Sequence, residues 1–194
     1  MSYLSRFLFF SVLFLTGCTC LSSCSSNEDA GDSSVVNENI TWSECGQKVG
    51  EHPCNFTLKD HNGDDFSLYD HYGDVIVLDF STMWCGFCKL AAETSQEHQD
   101  TYDSQGFKYV TILIEDSQGG SVSRNEASQW ADEYGITTAP VLIGDRSLID
   151  SSAESGYPIT GWPTFAIINR DMVLISGISG WSEESIVQAI ESSL

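Results

Sequence analysis

The sequence predicts an α/β fold, a central mixed β-sheet flanked by helices, and three observations carry that prediction. DVIVLDF at 74–80 holds five apolar residues, mostly Val and Ile, as in a strand buried on both faces in the middle of a parallel sheet. The stretch from Lys89 to about Asp103 has no Gly or Pro and tolerates a helix, and FKYVTILI at 107–114 then gives a second strand. Strand, crossover helix and strand make a βαβ unit with a right-handed connection. PTFAIINRDMVLIS at 163–176 reads as two strands about a polar turn at Asn169–Asp171, a hairpin that adds antiparallel strands.

The remaining elements follow in order. In NFTLKDHNGDDFSLYD, apolar and polar residues alternate on both sides of the turn dipeptide Asn62-Gly63, so an N-terminal β extension precedes the βαβ unit. Residues 125–135, NEASQWADEYG, form a candidate helix ended by Gly135, and VLIG after Pro140 is a short apolar run; together they are an insertion after the βαβ unit. In SEESIVQAIESSL, Ser182 is the expected N-cap, with Glu183 and Glu184 in the first turn. Ile186, Val187, Ala189, Ile190 and Leu194 then lie at near-helical spacing, so a terminal helix closes the fold.

The chain of 194 residues has room for one ordinary domain and an appendage. Its 28 acidic residues against 8 basic ones give a formal charge of -20, which repels nucleic acid phosphates and anionic lipid headgroups and excludes nucleic-acid binding. Such a surface suits a soluble exported protein, with adaptation to a salty medium as the alternative. MSYLSR carries one positive side chain, Arg6, and FLFFSVLFL from Phe7 to Leu15 is shorter than the roughly 20 residues of a membrane-spanning helix, so residues 1–17 read as an export signal. Leu15-Thr16-Gly17-Cys18 resembles the bacterial lipobox, which implies a lipid anchor on Cys18. Leu21-Ser22-Ser23-Cys24 is a weaker second candidate, and a plain secretory signal is the bland alternative. Residues 18–40, rich in Ser, Asp, Glu and Asn, read as a flexible tether, and 41–194 as the domain.

Seven cysteines stand at 18, 20, 24, 45, 54, 85 and 88, and in an exported protein thiols tend to pair. If Cys18 is acylated, Cys20 and Cys24 are left over in the tether. If Cys24 is acylated, the four that remain make two pairs. Cys45 and Cys54 flank GQKVGEHP, whose glycines and Pro53 let the chain fold back, and a structural disulfide is expected there, worth roughly 2 to 3 kcal/mol for so short a loop. A four-cysteine zinc site with Cys85 and Cys88 is the rival, and it lacks the second short spacing of a zinc ribbon.

Trp84-Cys85-Gly86-Phe87-Cys88 follows the first buried strand directly, so the cysteines lie at a strand's carboxyl end and open a helix, where open α/β sheets place their sites. Backbone N–H groups and the helix dipole at such a position favour thiolate over thiol, which makes Cys85 the predicted nucleophile. Cys88, one turn on, is placed to attack a mixed disulfide on Cys85. Asp79, on the buried strand, is read either as the group that exchanges a proton with Cys88 or as a hydrogen-bonded carboxylate without a chemical part.

VIVLDFSTMWCGFCK resembles the active-site segment of thioredoxins. VGEHPCNFTLKDHNGDDFSL before it, YGITTAPVLIGD between and GWPTFAIINRDMVLISG after resemble the periplasmic TlpA/ResA-like branch of that superfamily, over about residues 49–192. The resemblance implies a thioredoxin fold and a thiol-disulfide oxidoreductase with no cofactor, acting on protein thiols or disulfides and fed by an inner-membrane electron donor. It implies that Trp84 covers the dithiol, that Asp79 is the buried carboxylate, and that Pro163 is the cis-proline beside the reactive cysteine, where an extended substrate pairs. The chain is expected to act as a monomeric reductant on the periplasmic side, anchored to the outer membrane. Three positions depart from the family: Gly86-Phe87 where the dipeptide commonly ends in Pro, Ala91 and Glu93 where many relatives carry Glu and Pro, and a bulky Trp162 before the proline. The first leaves the direction and potential open.

Two other functions compete. Thr82-Met83-Trp84-Cys85 has the TxxC spacing of peroxiredoxins, but Leu78 stands where that family has Pro. A copper-binding scaffold would need soft or imidazole ligands, for which only Met83 and His98 are near; Met83 is expected to pack and His98 to be exposed. His52, His61 and His71 show no ligand spacing and are expected to face solvent.

Overall fold

The computed structural model describes residues 37–153 and 155–194. The proposed signal, Cys18, Cys20, Cys24 and most of the tether lie outside these residues. The tether's last residues, Asn37–Ile40, form a turn, and the Asn37 amide donates to the Tyr69 carbonyl at 3.1 Å, which ties them to the domain.

A two-stranded antiparallel ribbon opens the domain, β1 (Thr57–Lys59) and β2 (Asp65–Ser67). The turn between them places Gly63 at φ 96°, a conformation only glycine adopts without strain, and Asp60 Oδ1 accepts the N–H groups of Asn62, Gly63 and Asp64. Next come β3 (Val75–Thr82), α1 (Gly86–Tyr102), β4 (Phe107–Glu115), α2 (Arg124–Glu133), β5 (Val141–Ile143), β6 (Thr164–Ile168), β7 (Leu174–Ser179) and α3 (Glu183–Glu191). The second sheet runs β5-β4-β3-β6-β7, parallel among the first three and antiparallel through β6 and β7. It is the mixed sheet expected, with all eight residues of β3 buried at its centre.

Two successive crossovers, β3 to β4 and β4 to β5, step in the same direction across the sheet. Right-handed connections then put α1 and α2 on the same face. Apolar residues of α1, α2 and α3 accordingly share one core cluster with Val75, Val77, Tyr109 and Phe165. Ile76, Leu78, Phe80 and Ile112 point the other way, toward a core closed by Phe66, Leu68, Tyr157 and the partly buried Leu148 and Ile159. Strand alternation assigns each β3 side chain to a face, so Asp79 and Ser81 project with Val77 beneath the helices.

Local signals explain the helix ends. Ser123 and Glu126 form a reciprocal capping box at α2, Gly135 leaves that helix at φ 65°, and the Ser182 hydroxyl accepts the Ser185 N–H at α3. Helix α1 is tied to its surroundings by two glutamines. Gln96 Oε1 accepts the N–H groups of Thr137, Thr138 and Ala139, while Gln99 Oε1 accepts the Tyr109 N–H at 2.8 Å.

The histidines correct the sequence reading. His98 is 4% exposed, because α1 is covered by the start of α3, where Glu183 Oε1 lies 3.2 Å from His98 Nε2, out of line for a hydrogen bond. His61 is also buried, its Nδ1 accepting the Val141 N–H at 3.3 Å, because the β1–β2 turn leans on β5. His52 and His71 are half-buried against Trp42 and Phe66, with ring centroids 3.8 and 4.6 Å apart.

Candidate active site

The two cysteines occupy different positions on one helix turn. Cys85 is the N-cap of α1 with extended backbone angles, and its sulfur accepts the Cys88 N–H at 3.2 Å. A cap needs an acceptor facing the unsatisfied N–H groups of the first turn, and here a thiol fills that role. Cys85 is 7% exposed and Cys88 0%, and neither is in a disulfide, so the pair is a reduced dithiol with one sulfur near the surface and one behind it. Cys45 and Cys54 are bonded to each other, S–S 2.00 Å, which removes the two thiols a four-cysteine zinc site would require.

Exposed apolar side chains rim the pair: Trp84 is 48%, Phe87 60% and Leu90 42% exposed. Trp84 is nevertheless fixed, since its indole N–H donates to Glu115 Oε2 at 2.8 Å, and buried Glu115 accepts from the Arg146 guanidinium through its other oxygen. The same glutamate's carbonyl accepts the Met83 N–H, which ties the end of β3 to the end of β4, while the Cys85 N–H to the Thr82 carbonyl closes the turn into α1. Met83 packs against the helix-side core, as expected. Neither Glu115 nor Arg146 was legible as part of the site, because the pairing depends on how β4 ends opposite Thr82.

Asp79 lies wholly inside. Its carboxylate accepts Ser81 Oγ–H at 2.6 Å and Tyr109 Oη–H at 3.2 Å. Burial pushes its pKa up to about 7, against those two hydrogen bonds, which favour the charged form. Burial also pushes the Cys88 thiol well up, helped by its hydrogen bond with Cys85 and by the Asp79 charge. The Thr82 backbone N–H and the Ser81 hydroxyl act in the opposite direction. Tyr109 is raised by burial and by Asp79, so it stays a neutral donor.

Pro163 follows a cis bond from Trp162 and immediately precedes β6. Because Phe80 pairs with Thr164 in the antiparallel ladder, Pro163 falls at the carboxyl end of β3, the end that carries the cysteines. Trp162 is partly buried and packs against both core clusters, so its bulk serves the interior as well as this edge.

A mixed sheet of this order, with a dithiol opening the helix after its central strand, defines a protein of the thioredoxin fold. Residues 49–176 match the model of the AhpC/TSA family, and the chain belongs to that family. It is 26% identical over 133 residues to the thiol-disulfide oxidoreductase ResA of Bacillus subtilis, covering 69% of this chain and 68% of that protein. Among solved structures, a thiol:disulfide interchange protein of the thioredoxin family from Chlorobium tepidum aligns with a TM-score of 0.61 at 21% identity, over 78% of this chain and 99% of that one. The exposed lipoprotein thioredoxin of Streptococcus pneumoniae aligns with a TM-score of 0.58 at 22% identity, over 72% and 99%. Both structural likenesses establish the fold. Among the described residues, no helix is long and apolar enough to cross a membrane.

Proposed function

We propose that the protein is an exported thiol-disulfide oxidoreductase that exchanges two electrons with protein dithiols or disulfides through Cys85 and Cys88, acting as a reductant. The observation that carries this reading is the Cys85 sulfur capping α1 while accepting the Cys88 N–H, with the second thiol buried one turn behind it. The Cys85 thiolate attacks one sulfur of a substrate disulfide, forming a mixed disulfide and expelling the other sulfur as a thiolate. Cys88, after losing its proton, attacks Cys85 Sγ and expels the second substrate sulfur. The substrate disulfide gains two electrons, its two expelled thiolates take their protons from solvent, and the Cys85–Cys88 disulfide is left for a membrane donor to reduce.

The apolar rim of Trp84, Phe87 and Leu90 and the proline edge at Pro163 are the surfaces on which the substrate rests. Asp79, near neutrality in its proton affinity, takes the proton that Cys88 must give up. The lipobox-like Leu15–Cys18 supports a lipid anchor on Cys18, as does the exposed lipoprotein character of the pneumococcal thioredoxin, and the anchor would hold the domain outside the cytoplasm.

A Cys88→Ser variant produced in an exporting bacterium should accumulate mixed disulfides on Cys85 that dithiothreitol releases. Trapping through Cys45 or Cys54 alone would overturn the assignment. The potential of the pair gives the direction: about -270 mV marks a reductant and about -120 mV an oxidant. A thiol peroxidase is the second reading, favoured by the family match and by the buried Thr82 hydroxyl, which has no hydrogen-bond partner among the described residues three positions before Cys85. Consumption of hydrogen peroxide with a supplied thiol, lost in Cys85→Ser and kept in Cys88→Ser, would select it.

A further inference from the structure

The sheet face turned away from the helices is only partly covered. Over β3 and β4 its large side chains are closed in by Phe66, Leu68 and Tyr157, but β6 and β7, at the sheet's edge, carry small residues on that face. Opposite residues of an antiparallel pair share a face, so Thr164 with Ser179 and Ala166 with Gly177 make a shallow floor beside Phe80 and Leu78. Over that floor lies a cavity of about 360 Å³. Gly177 contributes no side chain to it, and a Cβ built there meets no atom within 4 Å.

One wall of the cavity is the Cys45–Cys54 loop, which presents Gln47 and Val49. Val49 is 63% exposed, more than Trp84 or Phe87 beside the dithiol, yet its loop is held on every side. The bridge closes it, the Gly50 N–H donates to the Leu174 carbonyl at 2.7 Å, and the Gln47 amide donates to the Ser155 carbonyl at 3.0 Å. An apolar side chain fixed in water on so constrained a loop is preorganised to meet a partner. The opposite wall is Tyr157 and Ile159. Gln47 Oε1 and Tyr157 Oη are buried without a hydrogen-bond partner among the described residues, and although the two side chains are neighbours they stand outside hydrogen-bonding geometry. Buried oxygens left so are costly, and a ligand that brings a donor to them removes the cost.

The cavity is continuous with the proline edge. Thr164 and Ser179, at one end of it, adjoin Pro163 and Gly180, which are joined by the Gly180 N–H donating to the Pro163 carbonyl at 2.8 Å. That is the end of the sheet from which the cysteines project, so a chain that crosses the proline edge from Cys85 reaches the cavity on the other face.

We propose, on the dithiol-exchange reading, that this cavity is a substrate subsite that takes the side chain of a tyrosine or tryptophan lying a few residues from the substrate's reacting cysteine. The ring rests on Ala166 and Gly177 between Val49 and Ile159, and its O–H or N–H donates to Gln47 Oε1. The volume is at the low end of the roughly 300–1,000 Å³ of small-ligand sites, which suits one large side chain. An aromatic ring with a polar tip fits such a place, because the ring buries apolar area while the tip needs a partner.

The test uses the full-length protein with Cys85 and Cys88 reduced and the Cys45–Cys54 bond intact. Its substrates are Gly/Ser peptides whose single cysteine is disulfide-bonded to thionitrobenzoate, with Tyr, Trp, Phe or Ala placed in turn at each neighbouring position. Attack by Cys85 on the peptide sulfur expels the coloured thionitrobenzoate. At one position Tyr and Trp should raise kcat/KM over Ala by about tenfold or more, chiefly through KM, with Phe about threefold below Tyr. Gly177→Leu, which fills the cavity, should bring the Tyr-to-Ala ratio to about one, and Val49→Ser, at an exposed position, should lower it about threefold. Each ratio compares two peptides on the same protein, so a general loss of activity in a variant cancels. Ratios within about twofold of one at every position, or a Tyr preference that survives both variants, overturn the subsite. Equal rates together with a dimer that Gly177→Leu abolishes give the cavity to a second copy of the chain and overturn it likewise. A Phe peptide equal to the Tyr peptide overturns the part given to Gln47. Release that is absent with every peptide, or that persists in Cys85→Ser, sinks the dithiol reading instead, so the two failures are distinguishable.

Discussion

Replacing Asp79 by Asn should make the protein more stable, and increasingly so as pH rises. The carboxyl group titrates near 3.8 when solvated and near 7 in its buried site, so the folded state holds a proton that the unfolded state has released over that whole interval. Stability is therefore fully present below about pH 3.8 and declines as pH rises toward 7, the sign opposite to that of a salt-bridged carboxylate. At about 1.36 kcal/mol per pKa unit, the interval corresponds to about 4 kcal/mol lost between roughly pH 4 and pH 8. An Asn side chain keeps an acceptor for Ser81, and the Tyr109 hydroxyl can turn to accept from the amide, so hydrogen-bond losses should subtract only about 1 kcal/mol. Urea unfolding of both proteins, with Cys85 and Cys88 kept reduced and the Cys45–Cys54 bond intact, reads the difference at each end of the range. His71, which burial lowers, titrates in both proteins and cancels. If the two stability profiles run parallel within about 1 kcal/mol from roughly pH 4 to pH 8, Asp79 is not the buried titrating group and its place in proton transfer falls with it.

Three further outcomes are expected. Arg146→Ala should leave buried Glu115 without its charged partner and cost about 1 to 2 kcal/mol in urea unfolding, less than a fully buried pair because the arginine itself is 70% exposed. The same variant should loosen Trp84, read as a shift in its fluorescence, whereas an unchanged emission would mean that Glu115 holds the indole without help. Replacing Cys45 and Cys54 together by Ala should lower stability by about 2 to 3 kcal/mol for a separation of 9 residues while leaving thiol exchange at Cys85 intact. Loss of exchange in that variant would give the structural bridge a chemical part that its place before β1 does not suggest.

The elements were legible because their signals are local. Val75–Leu78 cannot sit anywhere but in a buried strand, Asn62-Gly63 turns a hairpin, and Ser182 caps a helix whose first turn is acidic. The cysteines were legible for the same reason, since a CxxC run between a strand and a helix fixes its own surroundings within one turn. What escaped depends on which layers close over which face. His98 lies at helical spacing from Ala91 and Ser95, small and polar residues that carry little hydrophobic signal but belong to the buried face of α1, where Glu183 of α3 meets His98. Ser81 and Tyr109 looked like ordinary strand residues until the parallel register set Val77 beside Tyr109 and Asp79 beside Thr111, converging two hydroxyls on one carboxylate. The same layering separates the roles of the two thiols. The cap position leaves Cys85 near the surface, whereas one helical turn suffices to carry Cys88 out of the solvent and over the sheet face from which Asp79 projects. A protein that places a group of near-neutral proton affinity there accepts a loss of stability to keep it, and the pH profile of Cys88 attack is where that loss should reappear as rate.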